Sequence, residues 1–576
     1  MQHGRTSWSK LALPLSRRRA LGLGAGLAGS TAFALACGKG GGRDTGRTAP
    51  AAPTAAGGQV APDTPRQGGQ ARTRFNGTPP LDPIANTTFR AQTMAGFTYS
   101  RLVKFKTGAD PAVAANYEVV PDLAASWEMP GDGTQVVFKL RTNAVFHDKA
   151  PVNGRAVDAE DVKFSFERFR TEPKNSNKAA FDTVVQGIET PDANTVVFKL
   201  KAPYGPILNL FANPQYLWIL PRESAGGFDP AKDQIGSGPW VLESLQPDIE
   251  IKLRAHRKYF LEGKPYVDQW TIAILPDNLQ GKAQFQAERL DIEAIQFEDK
   301  AEVAQSNPKA RFLSYLPSNS IPFLAFQTRG NSPFRDERVR RAFSMAFDRE
   351  SLLQLSYDGQ GAFHNIVPAH MGKWWLDPKG AEIGEAGKYF QRNIRDAKAM
   401  LEAAGLAGLQ FKFIYANNAY GERFNQWAEA TAAMLKDLGV RPTIVVQDYQ
   451  REYISANGTF FGNFDGVFFG LQTPFTDPHD FLFNMNHSQS KRNHAGVNDP
   501  ALDALIDKEG ATLDEAARVK LVREIQRYLS DKMYYAPGFV GPAYTGVQPW
   551  VKGYRYSATY GSGVESAAEL WIDRGA

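Results

Sequence analysis

Several residues in this chain are of types that do chemistry. His147 stands beside Asp148, Asp477 lies near Asp480, and His364, His370 and His479 fall late in the sequence. A His-Asp pair suggests a proton-transfer dyad, two carboxylates suggest general acid–base hydrolysis, and three imidazoles suggest a metal site. None of them carries a catalytic spacing. No GxSxG elbow, P-loop, HExxH, CxxC or EF-hand loop is present. His147-Asp148 reads as a structural turn and the imidazoles as structural or solvent-facing groups, so neither a metal nor a cofactor is expected. A GxGxxG match at Gly24, Gly26 and Gly29 has no strand before it and no βαβ context, which removes dinucleotide binding. The carboxylates Asp477 and Asp480 leave one enzymatic alternative open, a secreted hydrolase.

The elements that must position these residues are clearest between Pro121 and Phe169. Gly131-Asp132-Gly133 is turn chemistry opening onto the β-branched and aromatic run Val136 to Leu140. After a loop holding Phe146, His147 and Asp148, Asp158-Ala-Glu-Asp161 places a cap and a second acid at a helix start. Val162, Phe166 and Phe169 then form a stripe that the helix must bury. Asp192 to Leu200 echoes Asp132 to Leu140, which predicts two strands of one small sheet; two copies are too few for a solenoid.

The wording of this stretch goes further than its spacing. Leu123, Ala124, Ser126, Trp127, Asp132, Gly133, Phe138, Leu140, Arg141, Phe146, His147, Asp148, Pro151, Val152, Asp161 and Val162 follow an "LA-x-SW … DG … F-x-LR … F-H-D/N-G-x-P-V" order. That order closely resembles the signature of bacterial extracellular solute-binding protein family 5, which serves ABC importers of peptides, nickel and related solutes. Lys149 replaces the usual glycine, and Asn153 to Val157 form a short insertion. Leu81-Asp82-Pro83 with Ala95 to Phe105 resembles the family's opening turn and first helix. Gly236-Ser-Gly-Pro-Trp240, followed by Ile249, Ile251 and Leu253, resembles a turn and strand, and Phe285 to Ile292 a short helix feeding an edge strand. Asn331 to Leu353 resembles the family's arginine-bearing helix; its arginines should stay solvated or pair with Asp336 and Asp348.

The resemblance implies an α/β, periplasmic binding protein-like fold of the cluster C type, with two main lobes joined by a two-crossing hinge and a smaller side lobe. Main lobe I is expected from residues 71–105, 235–320 and 541–576, the side lobe from 106–234, and main lobe II from 321–540. A chain of 576 residues is long enough for this division. Residues 1–36 look like a twin-arginine and lipoprotein-type signal, through Arg17-Arg18-Arg19 and the apolar run to Ala36, and residues 37–70 like a flexible tether. Cys37, the lone cysteine, stands where a lipoprotein is cut and acylated, and it leaves no intramolecular disulfide. Net charge is +5, but residues 1–70 carry +7 and the remainder −2, so no basic surface recruits nucleic acid.

The implied function is that of a non-catalytic extracytoplasmic receptor. It would be lipid-anchored and monomeric, capture a peptide-like or other small solute in an interlobe cleft, and pass it to the permease subunits of an ABC importer. Tyr99, Trp218, Gln327, Trp374, Trp375, Phe469, Gln472 and Asp477 are expected at the ligand, although each aromatic equally fits a core position. In peptide-binding members an acid four places before the proline of a "D-Y-x-D-P" loop holds the α-amino group. Here that position is Pro474, which favours an oligosaccharide or other neutral solute as the alternative.

Overall fold

The echoed segments are neighbours in space. In the computed structural model, which describes residues 64–559 and 564–574, strands Gln135–Leu140 and Thr195–Leu200 pair antiparallel, with Val137 opposite Val197. They are the inner strands of a four-stranded sheet completed by Ala124–Glu128 and Val185–Asp192. One face buries Val136, Phe138, Val196 and Phe198 under the helix Ala159–Thr171, whose Val162, Phe166 and Phe169 form the predicted stripe. The Asp158 side chain accepts from the backbone N–H groups of Glu160 and Asp161, and the Asp161 carboxylate accepts from Asp158, closing a capping box. Each buried phenylalanine contributes about 2 kcal/mol of transfer free energy, so this stripe decides where the helix sits.

A second four-stranded sheet has the order Gln70–Phe75, Gln269–Ile274, Glu250–Ala255 and Trp240–Gln246. Its indole floor, Trp240 edge-on to Trp270 at 5.3 Å, meets Phe97 of the helix Phe89–Thr98. That helix lies earlier than the Ala95 to Phe105 reading placed it. The Thr98 carbonyl is taken by the Gly238 N–H at 2.9 Å, and Val103–Phe105 pairs instead with Val119–Pro121 as strands. A β-carbon on Gly236 would fall 2.0 Å from the Thr98 oxygen, so only glycine permits this approach. Ile249 also departs from expectation: it follows Asp248, whose φ is +60°, in a turn, and is 63% exposed.

The remaining two larger sheets are joined by two chain crossings. In the first, Ala543–Val547 lies between Ile292–Ile295 and Arg311–Tyr315. The second has the order Arg441–Gln447, Gln410–Ala416, Val467–Leu471, Pro322–Phe326 and Tyr535–Pro537. The chain therefore leaves the first sheet after Tyr315, enters the second at Pro322, and returns after Pro537. His364 ties the two crossings together. Its Nδ1 accepts from the Ala369 N–H, which leaves the proton on Nε2 to donate to the Ser320 carbonyl at 2.8 Å, while its own N–H donates to Gly538.

The arginine-bearing segment is two helices, Glu337–Ala346 and Arg349–Tyr357, with Asp348 capping the second. Val339, Ala342, Phe343 and Ala346 are buried as their spacing requires, and Arg338 pairs with Asp336. Arg340 and Arg349 overturn the solvated or acid-paired expectation, because both are buried and neither has a carboxylate partner. Arg349 donates to the carbonyls of Pro537, Ser344, Phe347 and Phe390 and to the Ser344 hydroxyl, between the Phe347 and Phe390 rings. Burial lowers its pKa to about 9, so it remains a cation at neutral pH. Asp348 instead faces Arg392.

Two predictions follow from these buried groups. Replacing Arg349 by methionine leaves several buried acceptors without a donor and should lower unfolding free energy by about 3 kcal/mol or more in urea titration. Arg349→Lys should also destabilise, because an ammonium cannot reach all these acceptors; wild-type midpoints for both variants would refute this account of the side chain. His147, His256, His364, His370 and His494 are buried, and burial depresses the pKa of each, to about 4 for His256 and His364 and about 3 for His370 and His494. Between pH ~6.5 and the folded values only the unfolded chain takes up their protons, so this contribution to stability is full above pH ~6.5, falls across that interval and levels off below it. In an NMR titration these five imidazoles should stay uncharged from pH 7 to 5, and protonation of any of them in that range would contradict neutral burial.

Candidate functional site

Beside the crossings the strands end in an open cavity of about 620 Å³. Its walls are the end of Gln70–Phe75 with Asn76, the first turns of the helix Phe89–Thr98, Ile292 to Ala294, the outgoing segment Tyr315 to Asn319, and the returning chain at Thr545, Tyr554 and Tyr556. No lining residue comes from 321–540. The elements meet here because Gln70–Phe75 is held parallel beside Gln269–Ile274, while Ala543–Val547 fills the gap between the two strands of the neighbouring sheet. Phe75, Phe89, Phe97 and Trp270 supply aromatic faces.

Arg74, Glu293 and Arg90 are the charged side chains of this wall. The first two satisfy each other. Arg74 Nη2 meets Glu293 Oε1 at 2.6 Å with side-chain exposures of 9% and 3%, and Arg74 also donates to the Leu275 carbonyl and Asn278. Burial raises the Glu293 pKa while the Arg74 hydrogen bonds oppose it. Arg90 is exposed, folds over Gly77, and has no hydrogen bond or ion pair among the described residues. The wall holds no nucleophile–base pair, and no cluster of three metal-ligating side chains occurs among the described residues.

The eight residues expected at the ligand lie away from this cavity. Tyr99, Trp218, Trp374 and Phe469 are at most 3% exposed and belong to packed cores. The Trp218 indole donates to Gln92, and Trp374 lies under the Arg518 guanidinium at 5.1 Å. Trp375, only partly buried, and Trp374 both keep indole N–H groups without an acceptor. Gln327 is spent on the Gly462 and Phe464 carbonyls, and Gln472 accepts from the Thr473 N–H. None of the eight lines the cavity. The wall residues Asn76, Arg90, Ser318 and Tyr556 escaped the sequence reading because nothing in their local pattern marks them. The usable signal is topological: they sit where strands end at the crossings.

Asp477 anchors a buried charge network instead. It caps the helix Pro478–Asn486, receives Arg518 through both guanidinium nitrogens, and accepts from Asn209 at 2.7 Å. Arg518 also reaches Glu509 at 2.6 Å, and Glu509 holds His479 Nδ1 at 2.6 Å. Burial opposes a charge on His479, but Glu509 and the nearby Asp480 and Asp477 raise its pKa overall. The Asp480 carboxyl, without a hydrogen-bond partner among the described residues, is pushed up to about 7, first by burial and then by Asp477. Asp477 is thus committed to Arg518, which removes it as a free general base.

His147 is also structural. It accepts the Gly236 N–H at Nδ1 and donates from Nε2 to the Gly238 carbonyl at 3.1 Å, while Asp148 is exposed and makes no bond to it. His256 donates to the same carbonyl, so two imidazoles clamp the Gly-Ser-Gly turn. His364 and His479 have the separate partners described above, and both ring nitrogens of His370 lack one.

Comparison with known proteins agrees with this architecture. The profile described as bacterial extracellular solute-binding proteins, family 5 Middle, matches residues 118–493. The dipeptide-binding protein of Escherichia coli K12 is 26% identical over 500 residues, covering 82% of this chain and 88% of that protein. Heme-binding protein A of Haemophilus influenzae is 26% identical over 517 residues, covering 84% and 89%. The solved structure of HbpA2 from Haemophilus parasuis superposes with a TM-score of 0.73 at 21% identity, covering 88% of this chain and all of the other. The expected α/β fold, two main lobes with a smaller side lobe, is the fold of these neighbours. Among the described residues no helix is long and apolar enough to cross a membrane. With the profile spanning well over half its length, the chain belongs to the bacterial extracellular solute-binding proteins, family 5.

Proposed function

We propose that this protein is a lipid-anchored receptor that binds a small solute between its main lobes and delivers it to the permease subunits of an ABC importer. The observation that carries the reading is the cavity at the crossings of a family 5 fold, open to a solute and free of catalytic groupings. Lobe I comprises residues 71–105, 235–320 and 541–576 and forms the cavity wall; lobe II, residues 321–540, closes over it, and residues 106–234 form the side lobe. The relatives' names, which specify a dipeptide and heme, support a small solute without fixing which one. A peptide-like ligand is the first reading. Pro474, where peptide binders carry an acid, and the commitment of Asp477 to Arg518 favour an oligosaccharide or other solute without a free ammonium as the second.

Anchoring rests on Cys37 and the twin-arginine leader, which lie outside the described residues; the working protein is taken as an extracytoplasmic monomer. Catalysis is not part of the role, since the paired-carboxylate alternative loses Asp477 to its ion pairs.

Two measurements test this function. Small-angle scattering should show a smaller radius of gyration when a solute from the native host's medium saturates the protein, because two crossings permit hinge closure; an unchanged radius at proven saturation would remove the hinge. Cys37→Ala should abolish acylation and membrane partition of the exported chain. Parent-like partition of that variant would defeat the anchor.

A further inference from the structure

Within that receptor reading, we infer that the cavity selects an acidic solute: one carrying a carboxylate on a neutral, hydrogen-bonding body and no ammonium group. The inference rests on the wall's charge and polar inventory. Glu293 is the acidic side chain of the wall, and Arg74 occupies it through both Nε and Nη2 at 2.6 to 2.9 Å. A solute ammonium would find no free carboxylate there and would forfeit its hydration without a partner. Arg90 is the opposite case, a guanidinium at the same wall with no acid or carbonyl engaging it among the described residues. With Arg74 and Glu293 cancelling, the wall has a net charge of one positive unit, and it offers five donors without any acceptor competing for them.

The body of the solute is specified by other groups. Ser318 and Tyr556 are 9% and 5% exposed, line the cavity, and make no side-chain hydrogen bond among the described residues. Asn76 and Asn319 on the same wall are likewise unengaged. Neither hydroxyl oxygen is sealed from solvent, so both are open on the cavity side to bond a ligand's hydroxyl or amide groups. The rings of Phe75, Phe97 and Trp270 provide apolar faces for the body to rest on. Two sources share this chemistry, a peptide with a blocked amine and a sugar acid.

The test is a thermal-shift screen of the full chain against matched solutes, followed by calorimetry of every hit on wild type, Arg90→Gln and Arg90→Lys. Each acid is paired with its neutral counterpart. The peptide arm holds N-acetyl-dialanine, its amide and free dialanine; the sugar arm holds cellobionic acid and cellobiose; and a broad set of organic acids, amides, amines and sugars fills the rest. Hits should be acids, each binding about ten- to a hundredfold more tightly than its neutral partner, the worth of one charge-assisted contact. Arg90→Gln should erase that margin, and Arg90→Lys should restore part of it. Arg90 is exposed, so its loss does not threaten folding. Which arm supplies the hits identifies the source. Hits that are neutral or cationic, or acids indifferent to Arg90→Gln, would overturn the acidic-solute inference and leave the receptor reading intact. Absence of any hit across all classes would overturn both.

Discussion

Everything in this molecule depends on the antiparallel pairing that holds its two crossings side by side. On one flank Arg311–Tyr315 runs against Ala543–Val547; on the other Pro322–Phe326 runs against Tyr535–Pro537. The ladder is broken only between them, where His364 spans from Ser320 to Gly538. A pair of strands bends at such an interruption more easily than along its hydrogen-bonded length, because few bonds change there. The pairing fixes which edges of the two sheets face each other, and the break gives the joint its freedom. The cavity lies beside this break because strands on that flank run out at the same level.

Charge is handled in opposite ways in the two regions. Arg340, Arg349 and Arg518 are buried with every guanidinium nitrogen engaged, the first by carbonyls, the second by carbonyls and the Ser344 hydroxyl, and the third by Asp477 and Glu509. A buried guanidinium with every nitrogen engaged fixes the relative positions of the segments that supply its acceptors, which is how Arg349 joins Phe390, Ser344 and Pro537. At the cavity wall the Arg74–Glu293 pair does the same, whereas Arg90 is left unengaged. Rigid positioning and open valence are thereby separated: the groups that shape the wall are not the one left without a partner among the described residues.

Much of the fold was legible because local chemistry and burial agree. The capping box at Asp158, the Val162–Phe166–Phe169 stripe and the alternation within each echoed strand express constraints within a few residues of one another. Boundaries failed where a distant partner decides them. The first helix ends at Thr98 because Gly238 takes its carbonyl, and Arg340 and Arg349 are drawn inward by carbonyls supplied from remote segments. The site was less legible still. Aromatic residues attract attention in a sequence, yet Tyr99, Trp218 and Phe469 serve the core, while Arg90, Asn76 and Ser318 have no distinguishing neighbours and acquire their position only from the crossings.

The placement of Ala543–Val547 between Ile292–Ile295 and Arg311–Tyr315 has a kinetic consequence. The central strand of that sheet is nearly the last to be synthesised, while both its neighbours precede it by more than two hundred residues. Until it arrives, Ile292–Ile295 and Arg311–Tyr315 are unsatisfied edges flanking an empty slot, and no truncated chain can complete the cavity wall. Such long-range closure slows folding and leaves edges open to mispairing. That sheet therefore forms only when a segment far downstream of both its neighbours has joined them.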